Sequence, residues 1–280
     1  MHFQYLGTAA AEGWPAVFCN CPLCKRAALL GGRNIRTRSQ ALINKDLLID
    51  LPPDTYMHKL THGLDLTAVR YLLVTHMHLD HFYPQELTVR GSGYSHDMVS
   101  PDLNIFCAQE TKDYFYQVSK DELDAESDRH LIWNVLKPFE TVQAGPYTVT
   151  PLPASHMSDR NQPFIYHITD REGKQVLYLH DSGWYEDDVW DYFAGLSKPV
   201  DMISLDSTNG AIESHRGHHM GVSEAAEVRD RLRELGAIDD HTRCFLNHFS
   251  HNGGLLYDDL TAKAAPLDLE VSYDGMEIDL

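Results

Sequence analysis

The hydrophobic pattern predicts short strands alternating with helices along the whole chain. Apolar or alternating runs, which are typical of strands buried on one or both faces, recur throughout the sequence. They predict strands over 2–6, 40–44, 47–50, 70–75, 104–108, 147–152, 164–168, 175–180, 201–205, 243–247 and 270–278. Helical periodicity lies between many of them and predicts helices over 53–60, 84–90, 110–119, 185–194 and 222–235. We therefore expect an α/β fold.

The order of these elements favours one layered domain over 1–280. Strands and helices are interspersed from beginning to end, with no segment of a single type. No linker rich in Pro, Gly or Ser divides the chain, and no repeat period is visible. We expect a single α/β domain.

Composition excludes several function classes. Among 280 residues, 23 Lys and Arg stand against 41 Asp and Glu, for a net charge of −18. This balance argues against nucleic acid as a partner, because phosphate-backbone binding depends on clustered Lys and Arg. No apolar run has the length of a membrane helix, and the N-terminus lacks the pattern of a signal peptide. We expect a cytoplasmic protein that does not contact a membrane.

Candidate metal ligands follow directly after an apolar strand. The run 71–75 leads into His76, His78, Asp80 and His81. Imidazole and carboxylate are ligands for Zn²⁺ and Mn²⁺, and a turn after a strand can direct such side chains at one ion or two. We expect a metal site here.

Other ligand-type residues end later and earlier strands. Asp50 closes 47–50, His156 follows 147–152, and His248 follows 243–247. Asp181 follows 175–180, where His180 is a close competitor for the same role. Asp206 directly follows 201–205. It either supports a metal ligand from behind, as Asp50 would, or simply caps the end of the strand.

The HxHxDH run and the order of the other residues resemble the metallo-β-lactamase superfamily. The resemblance implies an αββα four-layer sandwich and two catalytic divalent ions, Zn²⁺ or Mn²⁺. The implied ligands are His76, His78 and His156 on one ion and Asp80, His81 and His248 on the other, with Asp181 bridging. Asp50 would lie behind a ligating imidazole, where a carboxylate fixes the orientation of the ring.

Three bunched cysteines suggest a second kind of metal site. Cys19, Cys21 and Cys24 form a CxCxxC cluster, whereas Cys107 and Cys244 stand alone. With the preceding segment 6–13, the cluster resembles the PhnP-type phosphodiesterases, which are related to ribonuclease Z. In that family three such cysteines and a distant histidine hold a structural zinc. Three thiolates leave a tetrahedral Zn²⁺ one ligand short, and His251 is the expected fourth.

A histidine-rich segment before the helix 222–235 resembles the GHxxxxEA stretch of ribonuclease Z and its phosphodiesterase relatives. In that resemblance His219 contacts a phosphoryl oxygen or protonates the leaving alkoxide. The segment precedes a helix N-terminus, whose amides and dipole favour a phosphate anion. His218 and His215 are alternatives for the role.

These features together predict a dinuclear hydrolase of small phosphodiesters, such as a cyclic ribose phosphate. A hydroxide between the two metals would attack phosphorus, with Asp80 and Asp181 as ligands that can also orient it. The alternatives are RNA processing as in ribonuclease Z, hydrolysis of a lactone or β-lactam, and a metal-binding scaffold without catalysis. Family resemblance also implies a homodimer.

Overall fold

Two mixed sheets and their flanking helices form the computed structural model, which describes residues 1–91, 93–156, 161–213 and 217–280. The strands are β1 (His2–Gly7), β2 (Gln40–Ile43), β3 (Leu47–Ile49), β4 (Tyr71–Leu73), β5 (Leu103–Cys107), β6 (Leu131–Val135), β7 (Val142–Ala144), β8 (Tyr147–Pro153), β9 (Phe164–Thr169), β10 (Gln175–Leu179), β11 (Met202–Asp206), β12 (Arg243–Asn247), β13 (Glu270–Val271) and β14 (Glu277–Asp279).

The helices lie between these strands. They are α1 (Pro22–Leu30), α2 (Thr55–His62), α3 (Gln109–Ser119), α4 (Ala125–Arg129), α5 (Asp187–Ala194), α6 (Val222–Glu234) and α7 (Tyr257–Ala264). Short 3₁₀ segments occupy Gly32–Asn34, Pro84–Val89, His251–Gly253 and Ala265–Leu267. Within the described ranges, none of the helices is long and apolar enough to cross a bilayer.

Parallel strands in both sheets align their carboxyl ends. The first sheet has the order β14-β1-β2-β3-β4-β5-β6, and the second has the order β13-β12-β11-β10-β9-β8-β7. Strands β3 to β6 are parallel neighbours in the first sheet, and β10 to β13 are parallel neighbours in the second. Each sheet therefore presents a row of carboxyl strand ends along one edge.

Alternating side chains divide the core into layers. In β10, Val176 and Tyr178 join a cluster drawn from both sheets, whereas Leu177 and Leu179 join a cluster with α5 and α6. A third cluster packs α3 on the outer face of the first sheet. Since a strand directs successive side chains to opposite faces, the two sheets pack on each other and the helices cover their outer faces. This is the αββα sandwich that the resemblance implies.

Several predicted elements differ from the structure. The segment 270–278 contains two short strands in different sheets, because β13 pairs with β12 while β14 pairs with β1. Between them the chain turns at Gly275, whose φ is +85°. The predicted helix 84–90 is the 3₁₀ segment Pro84–Val89, and the predicted strand 70–75 ends at Leu73 as β4. Strands β6 and β7 and helices α1, α4 and α7 are not predicted from the pattern.

Candidate metal centre

The predicted ligands meet where the carboxyl ends of the two sheets approach each other. Asp50 directly follows β3, and His248 directly follows β12. Asp181 lies two residues past β10. These three residues have φ values of +67°, +62° and +57°, in the left-handed region. The backbone thus turns sharply at the strand ends that carry them.

One cluster contains His76, His78, His156 and Asp181. The Nε2 atom of His76 lies 2.9 Å from Nδ1 of His78 and 3.1 Å from Oδ2 of Asp181. His156 Nε2 lies 3.3 Å from His78 Nδ1 and 3.4 Å from Asp181 Oδ2. Four ligand atoms from three separate segments therefore converge on one point.

A second cluster contains Asp80, His81, Asp181 and His248, all buried. His81 Nε2 lies 3.2 Å from His248 Nε2, 3.2 Å from Asp80 Oδ2 and 3.1 Å from Asp181 Oδ2. The Oδ2 atom of Asp181 thus belongs to both clusters. This arrangement fits a carboxylate between two cations.

Threonine hydroxyl groups behind two of the histidines hold the ring protons on Nδ1, on the side away from the ligand clusters. The Thr75 hydroxyl donates to Asp50, so Thr75 Oγ1 accepts from His76 Nδ1 at 3.0 Å. In the same way the Thr208 hydroxyl donates to Asp206, so it accepts from His248 Nδ1 at 2.8 Å.

His81 completes the same pattern through Asp50. Its Nδ1 atom lies 2.7 Å from Asp50 Oδ2, so the neutral ring keeps its proton on that side. The Nε2 atoms of His81 and His248 lie 3.2 Å apart. Burial acts to lower the pKa of His81, but the charges of Asp80 and Asp50 raise it well above its usual range, so a cation bound between these nitrogens would take the place of a proton on Nε2 of His81.

The spacing of the ligand atoms also suits a divalent metal. Tetrahedral coordination with metal–nitrogen distances of about 2.05 Å separates neighbouring ligand atoms by about 3.3 Å. The separations given above for His81 with Asp80, Asp181 and His248 lie within 0.2 Å of that value. The residues therefore fit divalent metal ions.

Electrostatics favour the ligand forms of Asp181 and His156. Burial acts to raise the pKa of Asp181, but the surrounding histidines, His248 foremost, hold it well below its usual range. Burial lowers the pKa of His156 to about 3, so this ring is neutral. An ionised carboxylate and a neutral imidazole are the forms that coordinate metals.

His180 does not join either cluster, although it precedes Asp181. Its fully buried ring has Nε2 3.1 Å from Nδ2 of Asn247. The side-chain amide oxygen of Asn247 accepts a hydrogen bond of 2.7 Å from the Ser272 hydroxyl, so its Nδ2 is the atom that donates to His180. Of the two competitors, the structure places Asp181 among the other ligand atoms.

His219 lies beside the two clusters, and one of its ring nitrogens is within 4.8 Å of ligand-type atoms of Asp181, Asp206 and His248. Its Nδ1 atom is 3.3 Å from Asp181 Oδ1 and 3.5 Å from Asp206 Oδ2. The side chain is 29% exposed. Burial acts to lower its pKa, but the hydrogen bond with Asp206 and the charges of Asp206 and Asp181 raise it to about 9.

His218 and His215, the alternatives to His219 as the substrate-contacting histidine, are not placed beside the clusters by the structure. His218 is exposed at the surface, and His215 lies outside the described residues. The peptide carbonyl of His219 itself accepts a hydrogen bond of 3.1 Å from Asn209.

Asp206 is a hydrogen-bond centre for three segments. Its carboxylate accepts from the backbone amides of Asp181, Thr208 and Met220 at 3.0, 3.0 and 2.9 Å. It also accepts from the Thr208 hydroxyl. Asp206 thus supports both Asp181 and, through Thr208, His248.

Two amides at the N-terminus of α6 are already bonded within the protein. The amide of Gly221 donates to Oε2 of Glu224 at 3.0 Å, and the amide of Val222 donates to Gly210 O at 2.9 Å. These two amides are already bonded within the protein, and a carboxylate offsets the positive end of the helix dipole. These two amides are therefore not open to a phosphate, and the expectation from the helix position remains a prediction for the rest of the first turn.

The cysteine cluster and His251 also come together. His251 Nδ1 lies 3.9 Å from Cys19 Sγ and 3.7 Å from Cys21 Sγ, and Cys24 belongs to the same group. Tetrahedral zinc with one nitrogen and three sulfur ligands separates nitrogen from sulfur by about 3.6 Å.

Local hydrogen bonds prepare the sulfurs for a cation. The amide of Cys24 donates to Cys21 Sγ at 3.4 Å, and this bond lowers the pKa of the Cys21 thiol to about 6. The amide of Ala16 donates to Cys24 Sγ at 3.4 Å, although burial raises the pKa of the Cys24 thiol to about 11. Cys107 and Cys244 are buried in β5 and β12.

Sequence reasoning missed the hydroxyl groups behind the ligands. Thr75 and Thr208 each connect a carboxylate to a ring nitrogen. Only their positions in the sequence could have indicated this role, since Thr75 directly precedes the histidine motif and Thr208 lies two residues after Asp206 at the end of β11.

Known structures share this fold across the whole chain. A diphosphatase from the PhnP family has 16% identity and a TM-score of 0.76, covering 100% of this chain and 97% of that one. Zn²⁺-bound PqqB from Methylobacterium extorquens has 18% identity and a TM-score of 0.75, covering 100% of both chains. The short form of human tRNase Z has 15% identity and a TM-score of 0.66, covering 100% of this chain and 99% of that one.

The sequence itself matches one family. No curated protein matches this chain. The beta-lactamase superfamily domain matches residues 45–249, which include every strand-end histidine and aspartate described above. The geometry of these residues fits divalent metals, and similar folds include those of a diphosphatase and a tRNase. The family match shows that the chain belongs to the beta-lactamase superfamily, and its fold is similar to that of the PhnP-family protein.

Proposed function

We propose that this chain is a dinuclear metal-dependent phosphodiesterase that acts on small phosphodiesters. The observation that carries the proposal is the Oδ2 atom of Asp181, which lies 3.1 Å from Nε2 of both His76 and His81. A carboxylate oxygen shared by two ligand clusters suits two ions held side by side. Such ions, when bound, would lower the pKa of water and offset charge on phosphoryl oxygens.

Each side chain has a distinct task in this proposal. His76, His78 and His156 hold one ion, and Asp80, His81 and His248 hold the other. Asp181 lies between them and, with Asp80, orients the attacking water. Asp50, Thr75 and Thr208 hold the ligand rings in the tautomer that directs Nε2 at the ions.

His219 serves the substrate in this proposal. It lies beside Asp181, with its ring 5.0 Å from that of His156, and it is partly exposed. From this position it donates a hydrogen bond to a phosphoryl oxygen or a proton to the departing alkoxide. Since the amides of Gly221 and Val222 are already bonded, this side chain offers a phosphate a contact that those two amides do not.

The cysteine site holds a structural zinc in the same proposal. Cys19, Cys21, Cys24 and His251 would bind it, and its binding free energy would stabilise the folded chain. The catalytic ions are Zn²⁺ or Mn²⁺, since histidine and carboxylate ligands suit either.

A substrate panel tests the proposal. The metal-loaded chain should hydrolyse bis(p-nitrophenyl) phosphate and cyclic or linear ribose phosphodiesters far faster than p-nitrophenyl phosphate or nitrocefin. A diphosphate diester and a tRNA precursor belong in the panel because a diphosphatase and a tRNase share the fold. The net charge of −18 disfavours the tRNA precursor. Comparable kcat/KM for nitrocefin and bis(p-nitrophenyl) phosphate would contradict the proposal.

The domain organisation and the oligomeric state are also part of the proposal. We propose one domain over 1–280 and a homodimer, as the family resemblance implies. Light scattering of the purified chain measures its oligomeric state, and a single cooperative unfolding transition would support one domain.

A further inference from the structure

Glu12 connects the two chain segments that form the cysteine site. It lies in the loop after β1, seven residues before Cys19, and its carbonyl accepts a hydrogen bond of 3.1 Å from Val17. Its side chain reaches the other segment, where Oε1 accepts a hydrogen bond from the Ser250 hydroxyl. The same oxygen lies 3.7 Å from Nε2 of His251. One carboxylate thus contacts two neighbouring residues of the histidine segment.

The orientation of the His251 ring explains what the contact between Glu12 and His251 can do. Nδ1 faces the sulfurs of Cys19 and Cys21, so as a ligand atom it must be unprotonated. The neutral ring then carries its proton on Nε2, the nitrogen that faces Glu12. A carboxylate behind a ligating imidazole fixes its tautomer and raises its basicity.

We propose that Glu12 is a positioning residue of the cysteine site, which keeps His251 Nδ1 directed at the three sulfurs through its contacts with His251 Nε2 and Ser250. The inference rests on the proposed cysteine zinc site and does not depend on the hydrolytic reaction.

The effect of Glu12 should stay local to the cysteine site. The histidine segment is held independently at its beginning, because Phe249 N donates to Thr8 O at 2.9 Å and Ala10 N donates to Phe249 O at 2.9 Å. The Arg36 guanidinium also lies 4.1 Å over the Phe249 ring. These contacts hold His248 without Glu12, so the catalytic ions should remain when Glu12 is changed.

Cobalt provides a probe for the cysteine site alone. Charge-transfer absorption from thiolate to Co²⁺ reports an ion bound by cysteine, and the histidine and carboxylate clusters do not produce it. The test titrates the full-length, metal-free chain with Co²⁺ and then displaces the Co²⁺ with Zn²⁺ in the presence of a chelator. This gives the zinc affinity of the cysteine site without any measurement of turnover.

The variants separate orientation from charge. Glu12→Ala should lower the zinc affinity of the cysteine site by roughly 10- to 100-fold and change the Co²⁺ spectrum. Glu12→Gln should lie between Glu12→Ala and wild type, since its amide oxygen can still accept from Ser250 and face His251 Nε2 but carries no charge. Glu126→Ala is the control because it removes the same charge from an exposed position in α4, and it should match wild type.

Three results would overturn the inference. The first is a Glu12→Ala chain that binds zinc at the cysteine site as tightly as wild type. If Glu12→Ala does not fold, the second is a Glu12→Gln chain with wild-type zinc affinity. The third is a wild-type chain that shows no thiolate-to-cobalt absorption. The last result would also remove the proposed zinc site. A chain that shows the expected affinities but hydrolyses no phosphodiester would retain the inference and contradict the proposed function alone.

Discussion

The carboxylate of Asp50 lies directly behind the imidazole of His81, with Oδ2 2.7 Å from Nδ1 and both side chains buried. On the other side of the ring, Nε2 faces Asp80, Asp181 and His248. The proton of the ring is therefore held on the side away from the ligand cluster. This pairing orients the His81 ring with Nε2 toward the ligand cluster.

Replacing Asp50 should weaken metal binding without removing a ligand. In Asp50→Asn the side chain keeps its size but loses the charge that holds the proton on Nδ1. We expect the affinity for the ion between Asp80, His81 and His248 to fall by roughly 10- to 100-fold. Chelator competition with the metal-loaded chain measures this. Asp279→Asn is a matched control, because Asp279 pairs with His2 at 2.8 Å on the exposed surface, and it should leave metal affinity unchanged.

Metal content should separate the two kinds of site. We expect about three ions per chain, because the proposal assigns two ions to the histidine and carboxylate clusters and one to the cysteine site. Asp181→Ala and His76→Ala should each lose two ions, whereas Cys21→Ser should lose one and unfold at a lower temperature. Elemental analysis of the purified variants measures this. A chain that keeps all of its zinc after Cys19, Cys21 and Cys24 are replaced would disprove the cysteine site.

His219→Ala should impair turnover while leaving the metals in place. We expect kcat to fall by roughly 10²- to 10⁴-fold, the usual range for a positioned acid or base. The loss should be smaller for a p-nitrophenolate leaving group, which needs little protonation, than for an alkyl ribose leaving group. Steady-state kinetics on both substrates and elemental analysis measure the two effects.

The control for that variant is the neighbouring exposed residue. His218→Ala should retain wild-type kcat on both substrates. A purely phosphate-binding role of His219 would give losses that are independent of the leaving group. Loss of a metal, or near-wild-type kcat in His219→Ala, would contradict the role proposed for it.

His167 should make stability depend on pH. Burial lowers its pKa, and a neutral ring satisfies both neighbours, accepting from the Tyr192 hydroxyl at 2.7 Å and donating to Gln175 Oε1 at 2.8 Å. In the unfolded chain a histidine binds a proton near pH 6.5. The unfolded state therefore binds more protons below that pH, and the free energy of unfolding should fall as the pH falls from 7.5 to about 5.5.

Urea unfolding of wild type and His167→Gln across this range checks the sign. The stability of the wild type should decrease more steeply with falling pH than that of the variant, which has no titrating ring at this position. Parallel curves for the two chains would show that His167 does not contribute to the pH dependence.

Much of the centre could be predicted because its ligands follow apolar strands. His76, His78, Asp80 and His81 form one motif at the end of β4, and Asp181 and His248 each lie within two residues of a strand. The resemblance to the metallo-β-lactamase superfamily supplied their grouping into two ligand sets, and order along the chain alone would not have done so. Their roles as ligands remain predictions that the metal analysis above tests.

Other parts of the molecule leave little trace in the sequence. In α7 only Leu260 and Ala264 are buried, so its apolar stripe is too narrow to recognise. Strand β6 is half exposed along its length and shows no clean alternation. Glu12 acts across 238 residues of sequence through Ser250, and no local pattern identifies such a contact.

The most direct test of the account is hydrolysis of bis(p-nitrophenyl) phosphate by the fully metal-loaded chain, measured beside Asp181→Ala. The account predicts sustained turnover that depends on added Zn²⁺ or Mn²⁺ and is lost together with both catalytic ions in the variant, because Asp181 Oδ2 lies between the two ligand clusters. A wild-type chain that carries both ions but releases no p-nitrophenolate would contradict it.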